Sequence, residues 1–220
     1  MPENVILAIE KIAIYSIPAM VGIILHEVAH GFCAYRLGDP TARSLGRLSL
    51  NPLPHIDPVG LLVFIVTSLT GAFVFGWAKP VPVDPRYFKE PRKGMMLVAF
   101  AGPLTNFFLA FFFSLLLWLG LSFFPREWFD LPFCITFLTM LKAGVFINLG
   151  LAWLNLIPIP PLDGSKIVAF FLPARLVSAY LQVERFGFLL LLLLIFSGVL
   201  NKILVPLIQG SSEQFLFYLY

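Results

Sequence analysis

The 220-residue sequence predicts an all-α polytopic membrane protein, and three observations carry that expectation. Apolar residues make up 59 % of the chain and charged residues 12 %, with a mean hydropathy of +0.91. A soluble domain carries about 25 % charge to face water, so this chain cannot clothe a soluble surface. Apolar runs long enough to cross a bilayer alternate with short basic loops. The expected architecture is about four full transmembrane helices plus a re-entrant hairpin or fifth span, with a small strand or loop region beside them. The net charge of +3 is explained by basic loops on the cytoplasmic side and calls for no nucleic acid.

The first apolar run, Ile12 to Tyr35, lies between Glu10-Lys11 and Arg36. As a helix it rises about 36 Å, enough to span with some tilt. Met1-Pro2-Glu3-Asn4 shows neither a basic n-region nor a small-residue cleavage site, so this helix is expected to be retained. Residues 38–57 form a polar loop, in which Ser44 to Leu50 alternates enough for a short strand. An exposed edge there could pair with an extended chain. Pro58 to Phe75 is a shorter apolar run containing Gly60, Thr67, Ser68, Thr70 and Gly71. The loop from Gly76 to Lys93 sets Lys79, Arg86, Lys89, Arg92 and Lys93 against Asp84 and Glu90. Gly94 to Phe124 is a long span, and Arg126, Glu127 and Asp130 mark a short turn. A span from Ala143 to Ile157 breaks at Pro158, Pro160 and Pro161. Lys166 to Arg185 reads as interfacial and amphipathic, and Phe186 to Pro206 as a last span. Cys33 and Cys134 lie in different apolar segments and are expected to be small buried side chains, without a disulfide.

Basic loops set the topology. Arg36, Arg43 and Arg47 follow the first span and place its end in the cytoplasm, and the 76–93 loop is more basic still. Both loops are cytoplasmic only if residues 58–75 enter and leave on one side, as a re-entrant hairpin does. The N-terminus is then outside. The alternative is a plain fifth span that breaks the charge rule.

His26-Glu27-Val28-Ala29-His30 interrupts the first span. Positions i and i+4 share one helix face, so two imidazoles so placed can bind one zinc ion. Glu27 then stands where it can take a proton from a zinc-bound water. Ionisable groups inside a bilayer are costly and are functional candidates by default; the alternative is a polar helix contact or a proton relay. His26 precedes Arg36 by ten residues and so lies about 15 Å below the cytoplasmic interface, which requires a water-filled cavity.

A catalytic zinc site has three protein ligands and one open position. Candidates for the third are Asp163, Asp57, Asp39 and His55. Asp163 is favoured, because the prolines before it deliver unwound chain at the right half of the membrane, and Gly164 allows a close turn. The plainer reading of Asp163 is a helix-capping loop. Asn106, in Ala101-Gly102-Pro103-Leu104-Thr105-Asn106, reaches a similar depth. Its amide could donate to a developing oxyanion, or it could join helices, with Gly102 allowing close packing. His55 could contact substrate or gate the site, although a loop histidine is more often neither.

Taken together, His26–His30, Gly38–Ala42, Gly46–Gly60, Gly76–Val83, Ala101–Asn106 and Asn155–Gly164 resemble the site-2 protease family of intramembrane zinc metalloproteases. The similarity is greatest to short bacterial members without an added PDZ or CBS domain. The resemblance implies a single integral-membrane metalloprotease domain over residues 1–220. It implies Zn2+ held by His26, His30 and Asp163, Glu27 as general base, and Asn106 holding substrate or oxyanion. Expected partners are transmembrane protein substrates and the lipid bilayer. The expected location is the inner (plasma) membrane, with the active site open to the cytoplasm. Two other classes are a non-catalytic zinc scaffold, which would need no Glu27, and an ion transporter, for which no inverted repeat is visible.

Overall fold

The computed structural model describes residues 3–60, 62, 63 and 78–216. Its helices are α1 (Glu3–Arg36), α2 (Thr41–Ser44), α3 (Pro91–Phe123), α4 (Pro132–Leu156), α5 (Asp163–Phe171), α6 (Ala174–Gln182), α7 (Glu184–Phe196) and α8 (Val199–Phe215). Three are long and apolar enough to cross a membrane: Ile14–Arg36 within α1, and the whole of α3 and α4. Ala174–Gly187 and Leu189–Phe196 form a pair bent by 66° that counts as a fourth if taken as one span. Residues 64–77 lie outside the described set, and with them the choice between a hairpin and a fifth span over 58–75. Before them, Asp57 Oδ1 accepts the Gly60 N–H at 2.8 Å and starts a helical turn at Pro58.

Prolines set several helix starts. Pro91 and Pro132 occupy first-turn positions, where a missing N–H costs nothing. α4 therefore begins at Pro132, earlier than the Ala143 expected from sequence, and takes in Lys142. The expected last span, Phe186 to Pro206, is not one helix. Gly198, at φ 72°, takes a left-handed conformation that α-helix cannot continue, and it separates α7 from α8.

α1, α3 and α4 pack on one another, with α5 against α3 and α8 against α4. Their core gathers Ala110, Leu117, Leu141, Val145, Leu149 and Leu216. Phe108, Phe111, Phe112 and Phe133 point outward, as lipid-facing side chains do.

Ser44 to Leu50 is not a strand, and the described residues contain no strand at all. The only pairing among them is an isolated antiparallel bridge between Ile56 and Ala78. Gly46, at φ 66°, and the Arg47 N–H, donated to Ala42 O at 2.8 Å, curl this segment back on α2. Its alternation of apolar and polar side chains therefore reports a folded loop, not an extended edge.

Candidate metal centre

One turn of α1 carries the first half of the site. His26 and His30 are both buried, with ring centroids 4.5 Å apart and planes at 87°. α3 crosses directly over them at Gly102. A Cβ there would lie 2.5 Å from Cε1 of each ring, so only glycine lets the two helices approach this closely. The next residue, Pro103, has no N–H for the Ala99 carbonyl and loosens α3 at the crossing.

The second half arrives from the chain after α4. Pro158, Pro160 and Pro161 forbid further helix, and α5 restarts at Asp163. Gly164 makes the turn possible, since a Cβ would stand 2.3 Å from Leu156 O. Arg92, on the first turn of α3, holds the far end of α5: its Nη2 donates to the carbonyls of Ala169 (2.8 Å), Phe170 (2.9 Å) and Leu172 (2.5 Å). Asp163 Oδ2 comes to rest 3.1 Å from Nε2 of each histidine, and the two Nε2 atoms are 2.9 Å apart.

Carbonyl groups fix which nitrogens carry hydrogen. His30 Nδ1 lies 2.7 Å from Val98 O, which can only accept, so Nδ1 donates. Asn106 Nδ2 donates to Gly22 O at 3.2 Å and to Asn148 Oδ1 at 3.0 Å. That turns Asn106 Oδ1 towards His26 Nδ1, 2.6 Å away, which must donate as well. In the neutral rings both Nε2 atoms then carry lone pairs, and these face Asp163 Oδ2. Three acceptors meet with no hydrogen between them, and Oδ2 is buried without a hydrogen-bond donor. Such a cluster repels itself until a cation sits among the three. Tetrahedral zinc with bonds of about 2.0–2.1 Å spaces its ligand atoms about 3.3 Å apart, close to what is found here. The residues present therefore fit a zinc ion.

The remaining carboxylate oxygen, Oδ1, lies 3.5 Å from Lys166 Nζ.

Glu27 stands beside the cluster, half-buried, and its Oε2 accepts the Val81 N–H at 2.7 Å. The other sequence candidates are elsewhere. Asp39 is fully buried but staples loops: Oδ1 accepts from Thr41 N (2.9 Å) and Thr41 Oγ1 (2.5 Å), and Oδ2 from Asp84 N (2.7 Å). Asp57 caps the turn at Pro58. His55 is 2 % exposed and donates Nε2–H to Ser49 O at 2.9 Å; it holds its own loop and presents nothing to a substrate. Asn106 is fully buried with both amide hydrogens spent, so no N–H is free for an oxyanion or a substrate backbone. It orients His26 instead.

Sequence reasoning missed Asn148, the Val98 carbonyl and the Val81 N–H. Asn148 carried a signal, being an amide inside a long apolar span. The two backbone groups carried none.

Comparison with known proteins agrees with this chemistry. Peptidase family M50 matches at residues 130–197. YwhC of Bacillus subtilis (strain 168), named as a candidate zinc metalloprotease, is 35 % identical over 206 residues, covering 91 % of this chain and 88 % of that protein. Rip2 of Mycolicibacterium smegmatis, named likewise, is 32 % identical over 186 residues, covering 83 % of this chain and 66 % of its own length. MJ0611 of Methanocaldococcus jannaschii, also so named, is 32 % identical over 158 residues, covering 67 % of this chain and 64 % of its own. No solved structure gives a significant match.

Proposed function

Because the chain belongs to peptidase family M50, the site-2 protease family, we propose that it is an intramembrane zinc endopeptidase that cuts transmembrane protein substrates. The observation that carries this reading is the meeting of three lone-pair donors, His26 Nε2, His30 Nε2 and Asp163 Oδ2, beside the carboxylate of Glu27. His26, His30 and Asp163 hold Zn2+, which when bound makes water acidic near neutral pH and polarises a carbonyl oxygen. Glu27 does the proton work. Val81 occupies its Oε2, so Oε1 takes the proton from the attacking water and returns it to the leaving amine. Asn106 and the Val98 carbonyl keep both Nδ1 atoms as donors and thereby keep both Nε2 lone pairs on the site.

The site lies inside a membrane, and the basic loops around α1 and α3 favour a cytoplasmic opening in the plasma membrane. A substrate helix must unwind before a peptide bond reaches Glu27, because a helical peptide bond is packed against its own turns. Substrates are therefore transmembrane segments weakened by Gly, Pro or Asn.

The test pairs two variants in detergent-purified protein. Glu27→Gln keeps about one zinc per chain and lowers cleavage of a Gly/Pro/Asn-containing transmembrane segment at least about 100-fold. Asp163→Ala loses most of its zinc. A Glu27→Gln enzyme that cuts at the wild-type rate ends the assignment of the base. Wild-type protein free of zinc after chelator-free purification ends the hydrolytic reading, and the scaffold and transporter readings take its place.

A further inference from the structure

Arg47 marks a cytoplasmic loop in the sequence, yet in the structure it is 7 % exposed. Among the described residues no carboxylate lies within ion-pair distance of it, and its Nε–H is buried without an acceptor. A buried guanidinium without a counter-charge is expensive, so the place where its donors go is informative. Nη2 donates to the carbonyls of Lys79 (2.6 Å) and Pro80 (3.3 Å).

Those carbonyls belong to a strap, residues 78–84, that runs past the site without forming a strand. Pro80 and Pro82 have no N–H, so a ladder cannot hold the strap, and other elements grip it one bond at a time. Lys79 N donates to His55 O at 2.9 Å, Val81 N to Glu27 Oε2 at 2.7 Å, and Asp84 N to Asp39 Oδ2 at 2.7 Å. The Val81 side chain is buried against α1, where a Cβ on Gly31 would stand 2.9 Å from its Cγ1. The Arg47 contacts end one residue before the N–H that fixes Glu27. Proline at 80 stiffens the step between them, because its ring locks φ.

We propose that Arg47 is a positioning residue for the catalytic step: it clamps the strap so that the Val81 N–H holds Glu27 Oε2 and leaves Oε1 aimed at the water. The proposal rests on Glu27 being the general base. It assigns the buried arginine, the paired prolines and the Val81 amide to one device. A general base works only when held close to its productive position, and a 1 Å misplacement costs about 100-fold in rate.

Three variants test it in full-length protein in detergent micelles, with a single-span test polypeptide whose transmembrane segment contains Gly, Pro and Asn. Arg47→Met removes the donors and keeps the bulk. Arg47→Lys restores a cationic donor. Val81→Pro deletes the N–H itself and leaves Arg47 in place. Arg47→Met is expected to keep its zinc, speed hydrogen exchange over residues 78–84 about 10-fold or more, and lower kcat about 10- to 100-fold with KM unchanged. Arg47→Lys recovers most of that loss. The Arg47→Met/Val81→Pro double variant is no slower than Val81→Pro alone, because both changes break the same contact.

Wild-type kcat in Arg47→Met or in Val81→Pro overturns the proposal, as does an additive loss in the double variant. If Arg47→Met does not fold, Arg47→Gln, which keeps a neutral donor, takes its place: wild-type kcat with wild-type exchange over 78–84 in that variant overturns the proposal. If instead Glu27→Gln cuts as fast as wild type, the assignment of the base has failed. Hydrogen exchange still reads the clamp in that case: unchanged protection over 78–84 in Arg47→Met refutes it.

Discussion

The trio α1, α3 and α4 and the bent pair α6 and α7 come from one apolar chain but are held by different means. The trio is joined through polar atoms. Asn106 on α3 bonds Gly22 O and His26 on α1 and Asn148 on α4, and His30 on α1 bonds Val98 O on α3. Glycines at 22 and 102 bring the backbones close enough for those bonds. α7, by contrast, is a leucine run whose Leu189, Leu193 and Phe196 face outward. Two contacts tie this pair to the chain before Asp163: the Tyr180 hydroxyl on α6, donated to Pro158 O at 2.6 Å, and Gly187 on α7, where a Cβ would stand 2.2 Å from Pro160 O. Lipid is as apolar as leucine, so hydrophobicity alone does not choose a neighbour for a helix inside a bilayer. Geometry is fixed where small residues and amides are, and the cluster of His26, His30 and Asp163 lies there.

That contrast can be broken or sharpened by substitution. The largest effect is expected from Gly102→Ala, which drives a methyl against both imidazoles. Overpacking of this kind costs about 1–3 kcal/mol, and because the rings are already pinned at Nδ1 it should appear as zinc lost during purification, read by metal analysis. Asn106→Leu removes the partner of His26 while keeping the number of side-chain heavy atoms. Zinc affinity should fall about 10- to 100-fold, measured by competition with a chelator, while the chain stays folded. Leu193→Ala on α7 should leave zinc content unchanged and alter stability within about 0.5 kcal/mol. A Leu193→Ala protein that released zinc as readily as Asn106→Leu would show that the two regions are held alike.

The same contrast explains what could be read from the sequence. The juxtaposition of His26 and His30 was legible because the helical period fixes i and i+4 whatever surrounds them. The arrival of Asp163 beside them was legible because three prolines must end α4 before it. The role of Asn106 was not: depth placed it near the histidines, but three specific partners decide that it has no hydrogen left to donate to a substrate. The strand over Ser44–Leu50 failed because Gly46 turns left-handed there, a freedom that an alternating pattern does not report. The last span failed at Gly198 for the same reason, inside a leucine-rich run with no period to lose. The bond from Val81 to Glu27 was beyond reach, since a main-chain N–H has no letter of its own.

The pinned Nδ1 atoms have one more consequence. Many small zinc modules collapse when stripped of metal, because the ion itself supplies their folding free energy. Here the imidazoles are oriented by oxygens of α3, and Asp163 by a helix anchored at its far end on Arg92, so these outer bonds should hold the pocket against the repulsion of its three acceptors when the ion is gone. The ion should behave as an exchangeable part. Protein stripped by a chelator should remain folded and refill from solution, and cobalt(II) loaded in this way would give a coloured reporter of the ligand field without unfolding a single helix.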